Sequence, residues 1–185
     1  MDSMESITEH FQKLVKKWAV ERNLINGSTP EAQCVKLIEE YGELARGIAK
    51  KDESLIKDSI GDTLVVCIIM AAQLGNDSFN LDKLNFERLD LNMASVREKL
   101  VMRGSTELGA ISYFINVTNR DIDRCIGNIY ALCDTLAEIA YLYKWTLGDC
   151  LKAAYDEIKD RKGRMVDGIP LDAPYKKQTQ TKQGD

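Results

Sequence analysis

The stretch Ser28-Thr29-Pro30-Glu31-Ala32-Gln33-Cys34-Val35-Lys36-Leu37-Ile38-Glu39-Glu40-Tyr41-Gly42-Glu43-Leu44-Ala45-Arg46-Gly47-Ile48 decides how this chain folds. It opens with a hydroxyl side chain that can accept from the first free amides of a helix. A proline suited to the first helical position follows, because a missing N–H costs nothing there. Behind that start, Cys34, Ile38, Tyr41, Ala45 and Ile48 recur at spacings of three and four, the signature of an apolar stripe on an α-helix. Glu39, Glu40 and Glu43 fall at i, i+1 and i+4 on the same helix, flanking the stripe on its polar side.

Working outward, the same periodicity predicts helices along nearly the whole chain. The prolines are Pro30, Pro170 and Pro174, so nothing between Glu31 and Ile169 carries the strongest helix breaker. Phe11, Leu14, Val15 and Trp18 mark a first helix that should end near Asn26-Gly27. A third helix is predicted from about Glu53 to Leu74, polar at first and apolar all round after Asp62, with Gly75-Asn76-Asp77 as its stop. Leu81, Leu84 and Leu91 suggest another helix, followed by a weaker one around Glu107 to Val117. Ile122, Cys125, Ile126, Ile129, Cys133, Leu136 and Ala140 give a further long helix. Thr146 can cap a last one carrying Cys150, Leu151, Ala154 and Ile158, stopping near Gly163. The polar tail 176–185 is predicted to be disordered. A faint echo joins Gly61-Asp62-Thr63-Leu64 to Cys133-Asp134-Thr135-Leu136 and Glu43-Leu44 to Glu107-Leu108. It suggests a degenerate second pair of helices, and chance explains it about as well.

At 185 residues the chain suits one domain, taken as 1–175. Its 25 Lys+Arg and 29 Asp+Glu are interspersed, and the net charge of -4 argues against nucleic acid as a partner. Cys34, Cys67, Cys125, Cys133 and Cys150 form no Cys-x-x-Cys pair and sit among apolar residues, so they read as reduced core thiols. Met1 to Trp18 lacks the apolar run of a signal peptide. The apolar stretch from Leu64 to Ala72 is far short of the roughly 20 residues of a membrane span. The expectation is a cytoplasmic protein with no membrane partner.

The acids on two helices carry the chemistry. Asp58 and Asp62 lie one turn apart on the third helix, and Asp62 stands immediately before the most apolar run in the sequence. Carboxylates crowded there repel one another, and burying one alone is costly, so something positive should sit between the two helices. Oxygen ligands without His or Cys favour Mg²⁺, or Mn²⁺, and imply a phosphate compound as substrate. A solvated helix face would account for Glu39, Glu40 and Glu43 but not for Asp62. A di-iron bundle would need Glu-x-x-His motifs, and His10, the sole histidine, is not preceded by one.

These residues resemble the MazG-like family of all-α NTP pyrophosphohydrolases, whose signature is Glu-Glu-x-x-Glu on one helix and Glu-x-x-Asp on the next. Lys36 to Leu44 matches the first half, and Ile60-Gly61-Asp62-Thr63-Leu64 ends the second. Ser59 stands where the family carries an acid, leaving Asp58 to take that role or the site one ligand short. The segment Glu157 to Arg164 resembles the family's final helix, where basic residues meet phosphates. Arg161 matches best, while Glu157 replaces an expected lysine and leaves Lys159 as a substitute.

The resemblance covers roughly 5–76 and 145–170, with 77–144 as an insertion or second helical unit. It implies an all-α helical bundle that converts a nucleoside triphosphate to the monophosphate and pyrophosphate. Glu40, Glu43, Asp58 and Asp62 would hold Mg²⁺, Glu39 would orient or deprotonate water, and Lys159 and Arg161 would bind phosphate. A homo-oligomer, dimer or tetramer, is also implied. Two alternatives are a dUTP- or dCTP-specific pyrophosphatase of the same superfamily and an inactive helical module binding nucleotide or protein.

Overall fold

The computed structural model describes residues 5–84, 95–117, 121–166 and, in backbone only, 169–171. Six α-helices follow one another: α1 (Ile7–Glu21), α2 (Pro30–Lys50), α3 (Glu53–Gln73), α4 (Val96–Asn116), α5 (Ile122–Leu142) and α6 (Leu147–Ile158). The fold is all-α. A short antiparallel pairing of β1 (Arg164–Val166) with β2 (Ile169–Leu171), in register Arg164 to Leu171, is the one extended element among the described residues, and periodicity did not foresee it.

Local chemistry sets the boundaries. Thr29 caps α2 by accepting from the Ala32 amide, and Pro30 takes the first turn. Lys51, in the left-handed conformation, ends α2, and Asp52 at once caps α3 through the Leu55 amide. So tight a connection folds α2 and α3 back on each other as an antiparallel hairpin. Gly47 allows the close crossing, because a Cβ there would stand 2.9 Å from the Ile56 side chain. Thr146 and Asp149 form a reciprocal capping box at the start of α6.

The buried stripe of α2 is rotated from the one predicted. Cys34, Leu37, Tyr41, Leu44 and Ile48 face the core, whereas Ile38 is 49% exposed. From Ser59 to Ala71 every residue of α3 except Asp62 is buried, which makes α3 the central helix. It packs against α2, α5 and α6. The five cysteines are free and buried, as expected.

α4 and α5 pair as α2 and α3 do, and the two hairpins meet through α2–α4 and α3–α5 contacts. The echo in the sequence falls on this repeated arrangement, with Glu107 on α4 and Asp134 on α5. Arg103, one turn before Glu107, donates to Thr135 at 2.9 Å and to Glu138 at 2.6 Å, so this hairpin carries its own cation among its acids. α4 runs farther than the predicted 107–117 segment, and α6 stops at Ile158 rather than near Gly163. Of the helix expected around Leu81, Leu84 and Leu91, only a single 3₁₀ turn, Leu81–Lys83, is present among the described residues. The predicted disordered tail lies outside them.

Candidate active site

A cavity of ≈ 530 Å³ opens along the α2–α3 hairpin and is closed on its far side by the end of α6 and the segment after it. Glu39, Glu40 and Glu43 reach it from α2, Asp58 and Asp62 from α3, and Glu157 and Arg161 from the α6 end. Six carboxylates therefore surround one space, with Arg161 and Lys36 as the cations lining it. A smaller hollow of ≈ 280 Å³ beside Thr8, Leu81 and Trp145 has, among the described residues, Asp82 as its one charged lining and lacks this pattern.

The cavity is polarised along its length. Because α2 and α3 run antiparallel, the acids of both helices lie together at one end. One to two turns away Gln33 on α2 and Val65, Val66 and Ile69 on α3 share the other end with Trp18, Leu24 and Met165. Gln33 is nearly buried and its amide donates to the Ser28 hydroxyl at 3.2 Å. The Trp18 indole N–H is buried without a partner.

Charge balance at the acidic end is incomplete. Lys36 bridges Glu39 at 3.0 Å and Glu40 at 2.5 Å, and Arg46 meets Glu43 at 3.2 Å. Asp58, Asp62 and Glu157 have no ion-pair partner among the described residues. Burial, then the charges of Glu40, Asp58 and Glu157, push the Asp62 carboxyl up to about 7, and Arg161 only partly opposes this. Burial, with Glu157, Glu40 and Glu43 behind it, raises Asp58 as well. The ionised forms of Asp58 and Asp62 are disfavoured here, and a divalent cation in the cavity would favour them.

The donor set fits a hard divalent ion, since every candidate ligand is a carboxylate oxygen. Among the described residues no three of these side chains are drawn together tightly enough to close a cage. The Lys36 ammonium, between Glu39 and Glu40, stands where a cation is wanted.

The remaining predicted residues divide. Arg161 follows the end of α6 in a turn closed by its amide on the Ile158 carbonyl. Its own carbonyl accepts from the Arg22 guanidinium, while Met165 N–H donates to Arg22 O at 2.9 Å and Asn23 donates to Met165 O at 2.8 Å. These ties fix Arg161 against the end of α1. Lys159 does not line the cavity; its ammonium pairs with Asp156 at 2.8 Å. Ser59 does not line it either. It is 1% exposed, turned into the core, and its carbonyl accepts from Thr63 at 2.6 Å. Among the charged residues that line the cavity, Lys36 and Glu157 are those to which sequence reasoning gave no role.

Comparison with known proteins agrees with the signature. The model of the MazG nucleotide pyrophosphohydrolase domain matches residues 28–88. An uncharacterized 18.2 kDa protein from the rep-hol intergenic region of Haemophilus phage HP1 (strain HP1c1) is 36% identical over 158 residues, 77% of this chain and 94% of that relative. The chain belongs to the MazG-like family. No solved structure matches it. The MazG match spans α2 and α3, so all five predicted acids lie inside it, while Glu157 and Arg161 come from beyond it. Among the described residues no helix of this MazG-like chain is long and apolar enough to cross a membrane.

Proposed function

We propose that the chain is a magnesium-dependent nucleoside triphosphate pyrophosphohydrolase, breaking the anhydride between the α- and β-phosphoryl groups with water to give a monophosphate and pyrophosphate. The observation that carries this reading is the polarised cavity, with unbalanced carboxylates and one arginine at one end and apolar walls at the other. Its volume suits a nucleotide-sized ligand.

Glu40, Glu43, Asp58 and Asp62 are the residues that would hold Mg²⁺ or Mn²⁺. Such an ion supplies charge neutralisation at the phosphate oxygens. Glu39 is mostly exposed and sits one turn from Glu43, a position from which its carboxylate can orient a water and accept its proton. Arg161 offers the planar fork that grips phosphate oxygens, and its backbone carbonyl, bonded by Arg22, ties its main chain to α1. Trp18, Val65 and Ile69 give the base an apolar bed, and the Gln33 amide can read its edge.

The test is to incubate the protein with Mg²⁺ and each common NTP and dNTP and to follow monophosphate and pyrophosphate by chromatography. Pyrophosphate release that disappears in Glu40→Gln and Asp62→Asn is the expected result, and a strong preference for dUTP or dCTP would narrow the substrate. Absence of turnover with Mg²⁺ and Mn²⁺ by a folded helical protein would leave the binding-module reading in its place.

A further inference from the structure

The MazG-like signature carries an acid at the position of Ser59, and in this chain that position points into the core. On α3 the cavity is therefore lined by the carboxylates of Asp58 and Asp62 and not by position 59. The opposite wall provides a further carboxylate. Gly61 packs directly on α6, where a Cβ would stand 2.5 Å from the Cys150 carbonyl oxygen and 2.9 Å from the Ala154 Cβ. With no side chain between the helices, their backbones meet within one turn of Asp58 on α3 and within one turn of Glu157 on α6.

Glu157 accordingly lines the acidic cavity, and it also shares with Asp58 the rim of a second hollow of ≈ 370 Å³ on the other side. No ammonium or guanidinium among the described residues lies within ion-pair distance of Glu157, although Lys152 on α6 and Lys159 just after it both pair with Asp156. Glu157 is exposed on α6, and it lines the same cavity as Asp58 and Asp62 of α3.

We propose that Glu157 is a ligand for the divalent cation of this site, supplying from α6 the carboxylate that Ser59 does not supply from α3. The inference rests on the proposed cation-dependent reading of the cavity.

Mn²⁺ binding by the full-length protein, followed by the loss of the free-ion electron paramagnetic resonance signal, tests it without recourse to turnover. Glu157→Gln keeps the shape of an exposed side chain and removes only the charge, so folding is not at stake; a thermal melt in EDTA checks that. Asp160→Asn, which removes a nearby acid outside the cavity, controls for bulk charge. The expected result is Mn²⁺ affinity about tenfold or more weaker in Glu157→Gln and little changed in Asp160→Asn. Equal affinity in Glu157→Gln and wild type, or an equal loss in both variants, overturns the inference alone. A wild-type protein that takes up no Mn²⁺, with or without nucleotide, overturns the proposed function and this inference together.

Discussion

Lys36→Met isolates what the ammonium does between Glu39 and Glu40. Methionine retains most of the aliphatic stem, so the change is chiefly the lost charge. Lys36 is 47% exposed, but the Glu40 side chain with which it pairs is only 8% exposed. Burial alone would lower the Lys36 pKa, and the hydrogen bonds that its ammonium donates to Glu40 and Glu39 outweigh that and raise it. Exposed ion pairs contribute about 0.2–1 kcal/mol, and stranding a buried charge costs about 3–5 kcal/mol. A pair with one partner half in water falls between, at about 1–2 kcal/mol. For a chain of this length that lowers Tm by about 2–8 °C, read in EDTA by calorimetry. If the ammonium stands in for a divalent ion, 10 mM Mg²⁺ (a concentration of the order that fills a weak site) restores most of the loss and stabilises the variant more than the wild type. A variant that melts with the wild type in EDTA, or gains no more from Mg²⁺, would refute the reasoning.

Three further outcomes follow from the same packing and charges. Gly61→Ala drives a Cβ into the α6 backbone; overpacking of about 1–3 kcal/mol, less about 1 kcal/mol of helix propensity, leaves a modest net loss in a denaturant melt, while Mn²⁺ affinity falls further than stability because α6 carries Glu157 and Arg161 away. Arg103→Met strands Glu138, which is 7% exposed, and should cost about 1–3 kcal/mol; Arg103→Met with Glu138→Met should recover much of it, and additive losses in the double-mutant cycle would contradict the pairing. In metal-free protein Asp62 holds its proton more tightly folded than unfolded, so its contribution to stability falls as pH rises from about 4 to about 7 and stays level above. Thermal melts in EDTA should show that decline in the wild type, flattened in Asp62→Asn, and a decline of equal steepness in the variant would assign it to other groups.

Much of the architecture was legible in caps and spacing. Thr29-Pro30 and Asp52 start two helices where short-range chemistry demands it, and the apolar run after Asp62 marked the central helix because a segment apolar on every side has to be surrounded. The face of α2 was harder: Ile38 and Leu37 are equally apolar, and only packing against α4 and α3 selects Leu37. α4 was under-read because Gly104, Gly109 and its polar residues blur the stripe, although Gly104 is required there by the Tyr41 hydroxyl that presses on it and donates to the Val101 carbonyl at 2.7 Å. Lys36 could have been found, since it lies one turn from both Glu39 and Glu40 on one helix. Glu157 could not. Its place depends on where α6 touches α3, which nothing local to either segment encodes.

The ties between α1 and the segment after α6 have a consequence for how the protein comes into being. The Arg161 carbonyl is bonded by Arg22, and Met165 is held by Arg22 and Asn23, so the wall that closes the cavity joins α1 to residues translated long after it. The α2–α3 hairpin, built on local contacts, can form early on the ribosome and present its carboxylates with no arginine facing them. The arginine arrives only once Met165 has cleared the exit tunnel. Nascent chains thus carry an unfinished cavity until the segment around Arg161 and Met165 can reach the end of α1.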